Sequence, residues 1–253
     1  MTTVADATPR RMTWPALIGW LVAFLLVPSF VSVIGFASQS ERLFPDAQAG
    51  LKVAAVHGVG VAIVALAVTL KGWWPAVLRE TRRVRAWVWI PTLSLVAVAI
   101  PMADWSRVRG AGLGVFAAVA LGVLMIAVGE ELMFRGVMVV FLRARMGELG
   151  VALVSSLLFG LAHVLAGPVQ VVFSALLGFV LYFARRVSGG LVVPVLIHLA
   201  WDLAVFTSFM TAEPSHGSDA SVALALTNVI VVIVLAALWR KAMPASSAAP
   251  TAS

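Results

Sequence analysis

Residues 111–142 read AGLGVFAAVALGVLMIAVGEELMFRGVMVVFL. A helix crossing the hydrocarbon core of a bilayer needs about 20 mainly apolar residues. This run exceeds that, so it tilts, kinks near Gly136 or extends beyond the membrane. Its charged residues are Glu130, Glu131 and Arg135. Glu131 and Arg135 stand four apart, which puts carboxylate and guanidinium on one helix face. Glu130 lies about 100° further round and lacks that intrahelical partner. An unpaired carboxylate in apolar surroundings suits a general base or acid, and adjacent carboxylates in different environments often divide the roles.

The rest of the chain reads the same way. Of 253 residues 62% are hydrophobic and 11% charged, with mean hydropathy +1.04. A soluble domain carries about 25% charged residues, so a water-soluble globule, a disordered chain and a soluble nucleic-acid binder are excluded. The net charge of +7 is spread in short basic clusters between apolar runs, a pattern that does not point to nucleic acid. There is no cysteine, which removes disulfides, thiolate metal sites and cysteine nucleophiles. The reading is an all-α polytopic membrane bundle of about eight transmembrane helices. Its candidate spans are 13–37, 51–70, 86–103, 111–142, 149–166, 168–184, 190–210 and 221–239. Arg10 and Arg11 precede an apolar run far longer than the roughly 7–15 residues of a signal core, so the first span is expected to remain uncleaved.

Positive charge sets the orientation. With the N-terminus cytoplasmic, Arg10, Arg11, Lys71, Arg79, Arg82, Arg83, Arg85, Arg143, Arg145, Arg185, Arg186, Arg240 and Lys241 fall inside. Arg42, Lys52, Arg107 and Arg109 fall outside, a split of 13 to 4 with Arg135 within a span. That bias predicts both termini in the cytoplasm. The Arg79–Arg85 cluster reads as a topology determinant and a contact for anionic lipids. Trp73, Trp74, Trp87, Trp89 and Trp239 lie near span ends, as an interfacial aromatic belt requires. Three regions result: a tail with three spans over 1–110, a core over 111–210, and a last span with a polar tail over 211–253.

Ionisable groups also enter spans five and seven. Phe159 and His163 stand four apart, as do His198 and Asp202. Together with the span-four trio, six ionisable groups represent roughly 10–20 kcal/mol of insertion cost before pairing. They must therefore face one another or a wet cavity. Counted from the cytoplasmic flanks at about 1.5 Å per residue, Glu130, His163 and His198 reach compatible depths. A carboxylate one turn from an imidazole can fix its tautomer, which assigns that part to Asp202. In spans one to three the buried ionisable residue is His57, read as a core or cavity residue without an assigned role.

Glu130-Glu131-x-x-x-Arg135, Phe159-x-x-x-His163 and His198-x-x-x-Asp202, in that order over about 115–205, resemble the CPBP family. These are intramembrane CAAX-processing (Abi) glutamic endopeptidases and relatives linked to bacteriocin processing or immunity. The resemblance implies a metal-independent endopeptidase without cofactor, in a bacterial cell membrane. Its partners would be membrane lipids and a protein or peptide substrate, lipid-modified or membrane-anchored ones included, and no nucleic acid. Carried over by position, Glu130 with His163 would activate water, Glu131, Arg135 and Phe159 would support the site, and His198 with residue 202 would stabilise the oxyanion. Asp202 departs from the prenyl-protease pattern, which has Asn; an ionised Asp cannot donate to an oxyanion. The alternatives are a zinc peptidase, which lacks a His-Glu-x-x-His pair here, a non-catalytic immunity or scaffold protein, and a proton-coupled transporter, whose repeat would place charges in both halves.

Overall fold

The computed structural model describes residues 11–35, 44, 46–210 and 219–243. The expectations for Arg10, for the tail up to it and for the tail beyond 243 lie outside these residues. The elements that matter are α1 (Trp14–Gly35), α2 (Ala47–Lys71), α3 (Trp89–Met102), α4 (Leu113–Arg143), α5 (Glu148–Leu161), α6 (Pro168–Ser188), α7 (Val192–Phe206) and α8 (Asp219–Ala237). Among the described residues there is no strand, only two isolated backbone pairings, Phe44 with Met210 and Arg79 with Gly190. The chain is an all-α bundle, as the apolar runs require.

Local chemistry sets the helix ends. The Asp46 side chain accepts from the N–H of Ala49 at 2.9 Å and starts α2. Gly72, at φ 68°, ends it in a left-handed turn that glycine adopts without strain. Pro168 opens α6 at its first position, where the missing N–H costs nothing.

The core is mainly apolar but encloses several charged side chains, and the exterior is apolar as well. Arg135, Arg185 and Arg186 are among the largest fully buried side chains, whereas Leu113, Leu165 and Val192 are 80, 99 and 73% exposed. Water would not tolerate an apolar exterior on this scale, and lipid does. By length and apolarity α1, α2, α4 and α6 each qualify as a crossing, and a fifth forms if the bent pair Ala86–Met102 and Trp105–Ala111 is one span. Among the described residues this criterion alone thus counts four or five of the eight expected spans. The apolar runs over 149–166 and 190–210 are longer than their helices because Val164–Ala166 and Thr207–Phe209 tighten into 3₁₀ turns.

The inside group of basic residues gathers at one end of the bundle. Lys71 donates to the Arg11 carbonyl at 3.4 Å, Arg145 to the Met12 carbonyl at 2.8 Å, and the Arg85 N–H to the Ala242 carbonyl at 3.0 Å. Arg143 and Arg185 share buried Glu80, at 2.8 and 3.0 Å, while Arg82, Arg143 and Arg186 share Glu148. At the opposite end Phe44 stacks on Phe206, and the Asp104 N–H donates to the Thr207 hydroxyl at 2.9 Å. Successive long helices thus run between two chemically distinct ends. Reporter fusions to the two termini are expected to read both as cytoplasmic; a C-terminus reporting from the other side would overturn the orientation.

Candidate active site

The site is built on a change of winding in α4. From Glu131 to Val137 the helix is π-wound, the N–H of Met138 bonding to the Met133 carbonyl five residues back. Single π turns inside α-helices mark functional sites. All seven residues of this turn are buried. Arg185 of α6 donates to the Arg135 carbonyl within it and, at 2.8 Å, to the Val77 carbonyl, tying the turn to the basic end. Gly136 is required by close approach, because a Cβ there would stand 2.8 Å from Cγ1 of Val77.

Glu131 is fully buried, and its Oε1 accepts from Arg135 Nη1 at 2.8 Å and from His198 Nδ1 at 3.1 Å. The Glu131–Arg135 pair is the one the spacing implies. The bond from His198 is a different arrangement from the one expected, in which Asp202 orients the imidazole. Glu131 holds Nδ1, and Nε2 is turned toward Asp202 Oδ2 at 3.5 Å and Glu130 Oε2 at 3.6 Å. One imidazole therefore stands among three carboxylates. Glu130 Oε2, Glu131 Oε2 and Arg135 Nη2 are buried without a hydrogen-bond partner among the described residues.

His163 lies just past the end of α5 in a turn, not within the helix. Its Nδ1 donates to the Phe159 carbonyl at 2.9 Å, which fixes the hydrogen on that nitrogen since a carbonyl only accepts. Nε2 is then the nitrogen available to a reactant. Among the described residues no hydrogen bond or ion pair joins His163 to Glu130 or to Asp202.

Phe159 does more than its spacing implies. The Arg135 guanidinium lies 4.1 Å from its ring centroid, and His163 and His198 meet its ring edge-on at 5.0 and 5.7 Å. One ring thus spaces the cation and both imidazoles.

Gly178 of α6 went unread in the sequence. A Cβ at this position would meet Arg135 Nη2 at 3.0 Å, Ser156 Cα at 3.1 Å and Phe159 Cδ1 at 3.2 Å. The available signal was a glycine inside an apolar helix, which costs about 1 kcal/mol against alanine and so marks a packing need. Gly178→Leu is expected to displace Arg135 and destabilise by about 1–3 kcal/mol, read as a lower thermal midpoint; an unchanged midpoint would show that the helices part freely there.

A set of ionisable side chains drawn from three helices, enclosed in a bundle with an apolar exterior, marks an integral membrane protein with a buried polar centre. Residues 112–204, which contain every residue of that centre described so far, match the Rce1-like family, described as type II CAAX prenyl endopeptidase Rce1-like. This is the family group that the three motifs resemble. No curated protein and no solved structure matched the chain. Among the described residues no group of three or more His, Asp or Glu is arranged to hold a metal ion.

Proposed function

We propose that this centre hydrolyses peptide bonds within the membrane by carboxylate-activated water, without a metal. The observation that carries the reading is the unequal state of two adjacent carboxylates. Glu131 is fixed by Arg135 and His198, whereas Glu130 stands 3.6 Å from the other side of the same imidazole, its Oε2 without a hydrogen-bond partner among the described residues. The first is a scaffold and the second is a base.

In this mechanism Glu130 takes a proton from water, which attacks the peptide carbonyl, and returns that proton to the amide nitrogen as the C–N bond breaks, leaving a carboxyl group and a free amine. His163 assists through Nε2, its other nitrogen being committed to the Phe159 carbonyl. The carbonyl oxygen gains negative charge and is met by His198. Carboxylates face both of its ring nitrogens, which calls for a hydrogen on each, and Nε2–H is then the donor to the oxyanion. Asp202 sits beside that nitrogen and tunes it rather than donating. The substrate is a protein or peptide, lipid-modified or membrane-anchored chains included, in keeping with the description of the family matched by residues 112–204.

The reading is tested by presenting purified protein in lipid with a peptide library, with and without a chelator. Cleavage that survives chelation is expected; loss of cleavage restored by added zinc would replace this reading with a zinc peptidase. In the same assay His198→Ala should cost about 10²–10³ in rate, as for a lost oxyanion donor. Asp202→Asn, which keeps shape and adds an amide donor, should cost far less. Equal, negligible effects of both would remove α7 from the chemistry.

A further inference from the structure

The reacting side chains sit unevenly between the two ends of the bundle. Ahead of α7, Gly190 pairs with Arg79 of the basic cluster. Just past α7, the Thr207 hydroxyl accepts from the Asp104 N–H at the opposite end. Counted along the chain at about 1.5 Å per residue, Asp202 lies about 18 Å from the first of these levels and about 8 Å from the second. The same holds on α5. That helix starts at Glu148, among the arginines of the basic end, and His163 stands in the turn beyond its far end, about 22 Å from Glu148.

Burial is as uneven as depth. Toward the basic end, every residue of α4 from Glu131 to Val139 is buried, and so is every residue of α6 from Leu177 to Val187. Arg185 crosses that layer and donates to the carbonyls of Ala76, Val77, Arg79 and Arg135. A peptide coming from the basic end would have to part this packing. In the other direction the side chains become accessible. Glu130 and Asp202 keep 15 and 17% of their side-chain surface, against 0% for Glu131 and 1% for Arg135. His163 is half-buried, and Val164 and Leu165 beyond it are exposed.

We propose that the centre opens toward the end opposite the basic cluster, so that its substrates are segments of membrane-anchored chains emerging on the non-cytoplasmic face. The side follows from the 13-to-4 division of positive charge, which puts the basic end in the cytoplasm. An extended chain covers about 3.3 Å per residue, so two or three residues next to an anchor span the 8 Å to Asp202. A chain end presented in the cytoplasm would face the packed layer instead. The substrate class rests on the peptidase reading and on the orientation; the direction of opening rests on neither.

The chain contains no cysteine, so single introduced cysteines report without background. In right-side-out spheroplasts, a membrane-impermeant methanethiosulfonate with a quaternary ammonium group should label Asp202→Cys together with the exposed position Arg109→Cys. It should label Arg82→Cys, half-exposed at the basic end, only after permeabilisation. His163→Cys gives the same answer if a cysteine at 202 prevents folding. Labelling of the centre only from the Arg82 side, or from neither side, would overturn the opening. Labelling of Arg82→Cys in intact spheroplasts would invert the orientation and overturn the substrate class. For the wild-type protein, one peptide cleaved in the library assay is fused beside a membrane anchor on either face, and only the outer copy should be cut. Cleavage of the inner copy alone would also overturn the substrate class. A wild-type protein that cleaves neither copy nor any library peptide would count against the peptidase reading, and labelling would still decide the direction of opening.

Discussion

Glu130→Gln is expected to abolish peptide hydrolysis and leave the fold as it is. A positioned acid or base contributes about 10²–10⁴ in rate, and here the same group also starts the reaction, so the loss should reach the upper part of that range. The fold should not notice. Glu130 Oε2 makes no hydrogen bond among the described residues, its nearest ring nitrogen stands 3.6 Å away, and the amide has the shape of the carboxylate. The measurement is turnover beside thermal denaturation in the same detergent or lipid. Full turnover with Gln at 130 would end the glutamic mechanism, whatever the fate of the other assignments.

Arg135→Ala should do the opposite and act first on stability. The guanidinium and Glu131 are 1% and 0% exposed, and removing one member of a buried pair strands the other charge, at about 3–5 kcal/mol. The stacking on Phe159 is lost as well. Arg135→Lys should rescue little, since an ammonium neither stacks like guanidinium nor fits the fork geometry. Replacing both partners, with Arg135→Met and Glu131→Gln, should recover much of the stability, because no buried charge remains unpaired. It should not recover the rate, since His198 then loses the carboxylate that anchors Nδ1. A thermal midpoint for Arg135→Ala equal to that of the wild type would show that Glu131 finds another partner.

The sequence made the bundle legible through hydropathy, and the site through three spacings of four residues. Those spacings work because they operate within one helix, where geometry follows from residue number: Glu131 does pair with Arg135, and Phe159 does meet His163. What failed to show depends on how one helix is rotated against another. The spacing of His198 and Asp202 favoured Asp202 as the orienting carboxylate. Packing instead turns Nδ1 toward Glu131, sixty-seven residues away in the chain. Phe159 under the guanidinium and Gly178 behind it are further cases of contact between helices. The π turn escaped for another reason, since seven ordinary residues carry no periodic mark of a wider winding. Helix lengths were overestimated where apolar residues continue through a tight turn, as at Val164–Ala166.

That wider turn also acts as a phase adapter. A continuous α-helix would tie the angular position of Glu130 rigidly to that of Arg143, because each residue advances the helix by about 100°. One end of α4 must present Glu130 to His198, and the other must present Arg143 to Glu80 and Glu148. The slack held between Glu131 and Val137 lets both ends keep their own bearing. Deleting a single residue there would take up that slack: the winding becomes uniform and the two ends keep nearly the same bearing, while the side chains carried by the turn itself are re-aimed. The same deletion within Leu113–Glu130 has no slack to draw on and would turn the helix ahead of it by about 100°, shifting contacts with both α2 and α7. The packing of α4 therefore tolerates a length change best at the turn that looks, in the backbone, like its one irregularity.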